Sequence, residues 1–152
     1  MAVITGAAKF GLWYVEVSWE GNRVYRVRFS PSATTGPVPA AVQQYVCGKG
    51  SDFSALTSPV LEEEGVFAEI YHCVRAIPYG ETRTYGEIAR LAGTGPRVVG
   101  NAMARNPVPL IIPCHRVIAA HGLGGFTPSI EIKKALLTME QKTKSRSGPA
   151  HG

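Results

Sequence analysis

The chain has 152 residues, 45% of them hydrophobic, and a formal net charge of +5, enough to bury a core without staples as one domain or two small ones. Its three cysteines, an odd number without a C-x-x-C pair, argue against a disulfide framework and against a zinc site. No apolar run approaches a membrane span and the start Met1-Ala-Val-Ile-Thr-Gly has no signal-peptide pattern, so a cytoplasmic protein, or a nuclear one in a eukaryote, is expected.

The charge is unevenly placed. Residues 1–64 carry five basic against six acidic side chains and residues 65–152 carry eleven against five, so the excess lies in the second half. A basic half joined to a near-neutral half points to a polyanionic partner, with nucleic acid the first candidate.

Residues 2–30 read as strands. Leu12-Trp-Tyr-Val-Glu-Val-Ser-Trp is aromatic and β-branched, Glu20-Gly21-Asn22-Arg23 supplies turn residues, and Val24–Ser30 alternates imperfectly with Val27 and Phe29 inward. Ser30–Pro39 is a loop by composition, Ala40–Val46 a short helix ending at Gly48, and Gly50–Pro59 a strand or linker anchored by Phe53 and Leu56. Recognisable chemistry is missing from this half, which reads as a small α/β scaffold over residues 1–60.

From residue 64 to 145 the pattern turns helical, with residues 146–152 a flexible tail. Val66, Phe67, Ile70, Tyr71, Val74 and Ile77 follow helical spacing until Pro78-Tyr-Gly80 stops it. A second helix is expected over Thr84–Leu91 with Ile88 and Leu91 inward, then a turn at Gly93-Thr-Gly95. A third starts at Pro96, the favoured first helical residue, and ends at Asn106-Pro107. Two short helices around a glycine turn in a basic domain fit a helix-turn-helix as well as an ordinary helical hairpin. On the third helix Val98, Val99, Ala102 and Met103 cover the packed side, Arg97 lies in the first turn, and Gly100 keeps the surface low.

Pro107, Pro109 and Pro113 bar a helix before Cys114, which should end a short buried extended segment with His115 beside it. A rigidly held thiol with a possible base nearby is what nucleophilic catalysis requires, although a lone cysteine is more often a buried structural thiol. Cys47 and Cys73 read as packed or idle. Three glycines in Gly122-Leu-Gly-Gly-Phe126 let backbone approach a flat ligand. His121 reads as a surface loop residue. Thr127-Pro128 reads as the cap and first turn of a last helix with Ile132, Leu136 and Met139 on one face. There Glu140 is placed to turn toward His115, and a frayed tail is expected from Gln141.

Tyr85-Gly-Glu-Ile-Ala, Pro96-Arg97-x-Val-Gly100, Asn106-Pro, Ile112-Pro-Cys-His-Arg-Val-Ile118 and Gly122-Leu-Gly-Gly-Phe together resemble the O6-alkylguanine-DNA alkyltransferases, over roughly residues 64–140. The resemblance implies an α/β protein of two small domains. A ribonuclease-H-like α/β domain would precede a mostly helical, winged-helix-like domain with a helix-turn-helix. It implies direct-reversal DNA repair: a single, irreversible transfer of the alkyl group from O6-alkylguanine, with O4-alkylthymine as a further candidate substrate, to Cys114 after nucleotide flipping. His115, through a water, would draw off the thiol proton, Glu140 would orient the imidazole, and Asn106 would brace the cysteine segment. Tyr85 would rotate the 3′ phosphate and offer a proton to guanine N3.

Arg97 would fill the gap in the base stack, Met103 would floor the pocket, and Gly100 would let the helix approach the minor groove of double-stranded DNA. The carbonyls of Cys114 and Val117 would accept from the exocyclic amine, and the Thr127 amide would point at O6. Phe126 stands where the family commonly has tyrosine; it keeps an aromatic wall and loses a hydroxyl, while Pro128 stiffens the loop. No cofactor and no metal are implied, and a monomer is expected. The alternative is a non-enzymatic module that recognises alkylated lesions and recruits other factors. The intact Pro-Cys-His-Arg argues against it.

Overall fold

The computed structural model describes residues 2–50, 52–126 and 128–146, the side chain of Arg146 excepted. The chain forms two compact units, and a single cut near residue 60 does not separate them. The first comprises residues 1–63 with the return segment Pro107–Ile111, the second Glu64–Asn106 with Ile112–Gly152. The fold class is the expected one, α/β in two small units.

In the first unit β1 (Ile4–Phe10), β2 (Trp13–Glu20) and β3 (Arg23–Ser30) form an antiparallel meander. Val15 and Val17 of β2 and Val24, Val27 and Phe29 of β3 are buried. The imperfect alternation of β3 has a local cause. The register shifts where Ser18 faces Arg26 and Trp19 faces Val24, so Tyr25 is an extra residue and the inward positions lie three apart. Helix α1 (Ala40–Val46) buries Val42 and Tyr45, and Phe53 packs on Tyr45 with ring centroids 5.4 Å apart. The stretch before Pro59 is a linker and not a strand: among the described residues it meets the sheet at an isolated bridge between Arg23 and Thr57, then enters a 3-10 turn at Pro59–Glu62.

The return segment docks on β3, where the Val27 amide donates to the Pro107 carbonyl at 2.9 Å. The reversal beyond Pro109 puts Leu110 at φ 76, the one described non-glycine residue with positive φ. Proline spacing correctly bars a helix here but does not show that the chain turns back.

The second unit carries α2 (Val66–Arg75), α3 (Tyr85–Ala92), α4 (Pro96–Ala104) and α5 (Ile130–Arg146), with β4 (Arg83–Thr84) and β5 (Val117–Ile118) paired in parallel. Helix α2 buries Ile70, Tyr71 and Val74, while Val66 lies at its first turn, 44% exposed, and is not part of the packed face. Helix α3 opens with a capping box: the Thr84 hydroxyl accepts from the Glu87 amide at 3.1 Å and the Thr84 amide donates to the Glu87 carboxylate at 2.8 Å. Its buried face centres on Ile88 and Ala89, which turns Leu91 outward to 69% exposure, against the expectation that Leu91 points in. At roughly 100° per residue, position 91 lies about 110° from that centre.

Gly93, at φ 73, ends α3 in the left-handed conformation, and Pro96 opens α4. The Tyr71 hydroxyl, buried, donates to the Ala102 carbonyl at 2.8 Å and fixes α4 on α2. Helix α5 begins after Ser129, whose hydroxyl accepts from the Glu131 amide at 3.2 Å, so the capping group lies beyond Thr127-Pro128. It continues past Gln141 to Arg146, where a frayed tail was expected. The Gln141 carboxamide donates to the Gly80 carbonyl at 2.6 Å and holds that turn.

Candidate active site

The site lies within the second unit, where the two-residue β4–β5 ladder pairs Thr84 with Ile118. The ladder brings the start of α3, with Tyr85 at its first position, beside the chain that has just left Cys114. Asn106 and Ile112 flank the return segment on either side. The Asn106 carboxamide donates to the Ile112 carbonyl at 2.9 Å, closing the base of that excursion, and the Cys114 amide donates to the same carbonyl at 2.7 Å. Cys114 is not at the end of an extended segment. It opens a 3-10 turn, Cys114–Arg116, because the Arg116 amide closes back onto the Pro113 carbonyl at 2.9 Å.

Cys114 is 8% exposed. Burial pushes its thiol up to about 11, against the pull of the Asn106 carboxamide, the Lys133 ammonium and the backbone amides of Cys114 and His115. The resting group is therefore a thiol, and a nucleophilic step must move its proton.

His115 and Glu140 meet, with imidazole Nε2 at 2.6 Å from the Glu140 carboxylate. Arg116 adds a two-point fork on the same carboxylate, Nε at 2.9 Å and Nη2 at 3.0 Å, and its Nη1 donates to the Ile77 carbonyl at 2.9 Å. The Gly80 amide donates to Glu140 at 3.0 Å. Burial alone would raise the Glu140 carboxyl. The contacts from His115 and Arg116 more than reverse that and hold it well below the usual carboxylate range. His115 is held below the ordinary histidine value, first by burial and then by the positive charges of Arg116 and Lys133, against the pull of Glu140.

Lys133 is a site residue that sequence reasoning misses. Its ammonium is fully buried and donates to the Val117 carbonyl at 2.6 Å and the Gly125 carbonyl at 3.2 Å. Burial lowers it to about 8, with Cys114 pulling it up. The Val117 carbonyl, expected to receive a base amine, already has one donor and keeps a second lone pair. Gly125 also hydrogen-bonds through its backbone to Tyr85, whose ring lies 5.9 Å from the Lys133 ammonium. The neighbouring Gly124, at φ 77, lies so close that a Cβ there would be 2.8 Å from the Tyr85 hydroxyl. Lys133 thus links the glycine loop, β5 and the thiol.

The remaining candidates lie apart from this buried layer. Arg97 is exposed on the first turn of α4; Met103 and Phe126 are half-buried; Gly100 faces open space, where an added Cβ would meet nothing within 4 Å. Thr127 lies outside the described residues. Cys47 and His121 are exposed, and Cys73 is partly so.

Residues 65–142 match the family model described as 6-O-methylguanine DNA methyltransferase, DNA binding domain. The methylated-DNA--protein-cysteine methyltransferase of Methanopyrus kandleri is 47% identical over 106 residues, spanning 69% of this chain and 79% of that protein. Against two other curated proteins of that name the match spans 63% and 50% of the relative's length. The crystal structure of Mycobacterium tuberculosis O6-methylguanine methyltransferase superposes with TM-score 0.78 at 28% identity, covering 99% of this chain and 97% of that one. Mycobacterium tuberculosis OGT in complex with DNA superposes with TM-score 0.74 at 30% identity, covering 90% and 92%.

Proposed function

The chain belongs to the 6-O-methylguanine DNA methyltransferase family, and from that premise we propose that it is a methylated-DNA--protein-cysteine methyltransferase that repairs O6-alkylguanine in double-stranded DNA by direct reversal. The observation that carries the reading is the buried Cys114 thiol opening a 3-10 turn whose next two residues are both bound to Glu140. The alternative of a recognition module without chemistry is not favoured, since the relatives are named methyltransferases and this chain keeps Pro113-Cys-His-Arg116.

In the proposed step the Cys114 proton passes to His115, through a water. The sulfur attacks the alkyl carbon in line, an S–C bond forms, and the C–O6 bond breaks with its electron pair leaving to the guanine. Tyr85 supplies a proton at N3 as charge develops there. The product is S-alkylcysteine, and with no step to remove the alkyl group each molecule acts once. Asn106 braces the turn through Ile112, and Glu140 orients His115.

Inside a stacked duplex the alkyl carbon cannot be reached in line, so the nucleotide must be flipped out. Arg97 fills the gap from α4, Gly100 lets that helix enter the minor groove, Met103 and Phe126 line the base, and Val117 and Thr127 read its edge through the backbone. Phe126 and Pro128 are the departures from the family pattern: Phe126 gives up a hydroxyl, which changes affinity or alkyl range if that hydroxyl takes part in binding, and Pro128 stiffens the loop against bulky adducts. The protein works as a monomer in the compartment that holds the DNA, the cytoplasm or a nucleus. No described helix is long and apolar enough to cross a membrane.

Incubation with a duplex carrying one O6-methylguanine should add one methyl mass to the Cys114 peptide, at one equivalent per protein, and Cys114→Ala should prevent it while still binding DNA. Unmodified Cys114 at saturating duplex would refute the reading.

A further inference from the structure

We propose that Arg116 is a positioning residue for the Cys114–His115 pair: by forking onto Glu140 it balances that carboxylate's charge, so that His115 stays neutral and ready to take the thiol proton. The inference rests on the acceptor role proposed for Cys114.

Glu140 receives four donors, Gly80 N and Arg116 Nε on Oε1, His115 Nε2 and Arg116 Nη2 on Oε2. An ionised carboxylate offers about four lone-pair sites, so this one is saturated. It therefore cannot itself take a proton from the imidazole without losing a partner. The guanidinium is anchored at its far side as well, by Ile77 and by the Tyr79 ring, whose centroid lies 5.5 Å from its central carbon.

The charge balance follows. Glu140 and Arg116 cancel, and a guanidinium does not titrate in the working range. A proton arriving from solvent on His115 would add a positive charge to a buried cluster that already holds the Lys133 ammonium. A proton arriving from Cys114 adds nothing, because the thiolate and imidazolium are created together. The arrangement thus discourages the first proton and tolerates the second.

The other titratable groups facing the pair are Cys114 on the same turn, Lys133 on α5, Tyr79 after α2 and Tyr85 at the start of α3. None of them supplies a negative charge in the resting protein that could replace Glu140. With a neutral residue at position 116, Glu140 would have His115 as its nearest titratable partner, and the pair would retain a proton to higher pH.

The test is the single-turnover rate of methyl transfer from an O6-methylguanine duplex as a function of pH. In Arg116→Gln the acid limb should move up by about one pH unit or more, so that at the wild-type midpoint the rate falls roughly tenfold relative to its own plateau. Arg116→Lys, which keeps the charge and loses the fork, should lower the plateau with the limb nearly unmoved. A plateau lowered equally in both variants with no shift of the limb would overturn the proposal, since that is what a merely structural arginine gives.

Should Arg116→Gln fail to fold, the wild-type protein decides. The His115 ring nitrogens, assigned by comparison with His115→Gln, should report a neutral imidazole at pH 6, and an imidazolium there would overturn the proposal. The nitrogen spectrum does not depend on alkyl transfer. A protein that fails to methylate Cys114 yet shows neutral His115 contradicts the acceptor role and leaves the charge balance intact.

Discussion

Helices α4 and α5 of the second unit carry charged side chains to opposite ends of the solvent scale. On α4, Arg97 points outward while Val99 and Ala102 face the packed side. On α5, Lys133 and Glu140 are fully buried, as are Ile132 and Leu136. An exposed cation keeps its water, costs little and remains available for a phosphate or a base stack. A buried ion is tolerated only when every lone pair or proton has a partner, so its neighbours must be held in place. In the function proposed above, the difference would separate two tasks: loose electrostatic capture on one helix, fixed proton geometry on the other.

The sharpest way to break this contrast is Glu140→Gln. The substitution keeps the shape but leaves the Arg116 guanidinium buried without its counter-charge, and losses on breaking a buried pair run about 3–5 kcal/mol. Urea unfolding should show a loss of that order, with methyl transfer strongly reduced. A loss below about 1 kcal/mol would mean the carboxylate is not the hub the contacts describe. The pH sign is also determined. Glu140 is depressed in the fold, so its contribution is present above the ordinary carboxylate range and lost as pH falls through its folded value. The gap between wild type and Glu140→Gln should therefore close in acid.

Gly124→Ala comes next. Gly124 has φ 77, and the new methyl would press on the Tyr85 hydroxyl at 2.8 Å. A strained left-handed residue costs about 1–3 kcal/mol, and the displaced Tyr85 should slow transfer further. Gly125→Ala is the matched control, since its Cβ meets nothing within 4 Å and its φ is not in the left-handed region. Equal rates for the two variants would remove Tyr85 from the proposed proton path.

Local chemistry was legible in the sequence where neighbours in the chain are neighbours in space. Pro96 at a helix start, the strand valines and the Cys114-His115 dipeptide belong to this class. What escaped depends on distant partners. Lys133 and Lys134 are identical to a sequence reader, yet the first lies against the Val117 carbonyl and the second pairs with Glu131 at 56% side-chain exposure. Arg116 is in the motif, but its partner is 24 residues away. Leu91 looked buried because leucine usually is, and the return of Pro107–Ile111 to the first unit leaves no periodic trace.

The buried end of the contrast can be sharpened by alkali. Lys133 stands at about 8 in the fold against an ordinary value of 10.5, so between these values the unfolded chain binds more protons and stability rises with pH. Cys114 stands at about 11 against 9.0, so between those values the unfolded chain has lost the proton first and stability falls. In wild type the two trends oppose each other above about pH 9. In Cys114→Ser the thiol trend is removed, and its unfolding free energy should climb further from pH 8 to 10 than that of the wild type. Identical slopes would show that burial does not raise the Cys114 thiol as described.

The exposed end yields the smallest stability effect and is the better test of capture. Arg97 is exposed, so Arg97→Ala should leave the unfolding free energy within about 0.5 kcal/mol of wild type. Repair should slow all the same, because the variant has nothing to hold the stack open behind a flipped nucleotide. The salt dependence separates two roles for the same side chain. A phosphate contact releases a counterion, and its loss lowers the slope of log affinity against log salt by about one. A group inserted in the stack affects the flipping step and leaves that slope nearly unchanged. An unchanged slope with a reduced single-turnover rate therefore places Arg97 in the stack, and an unchanged rate would rule out that role.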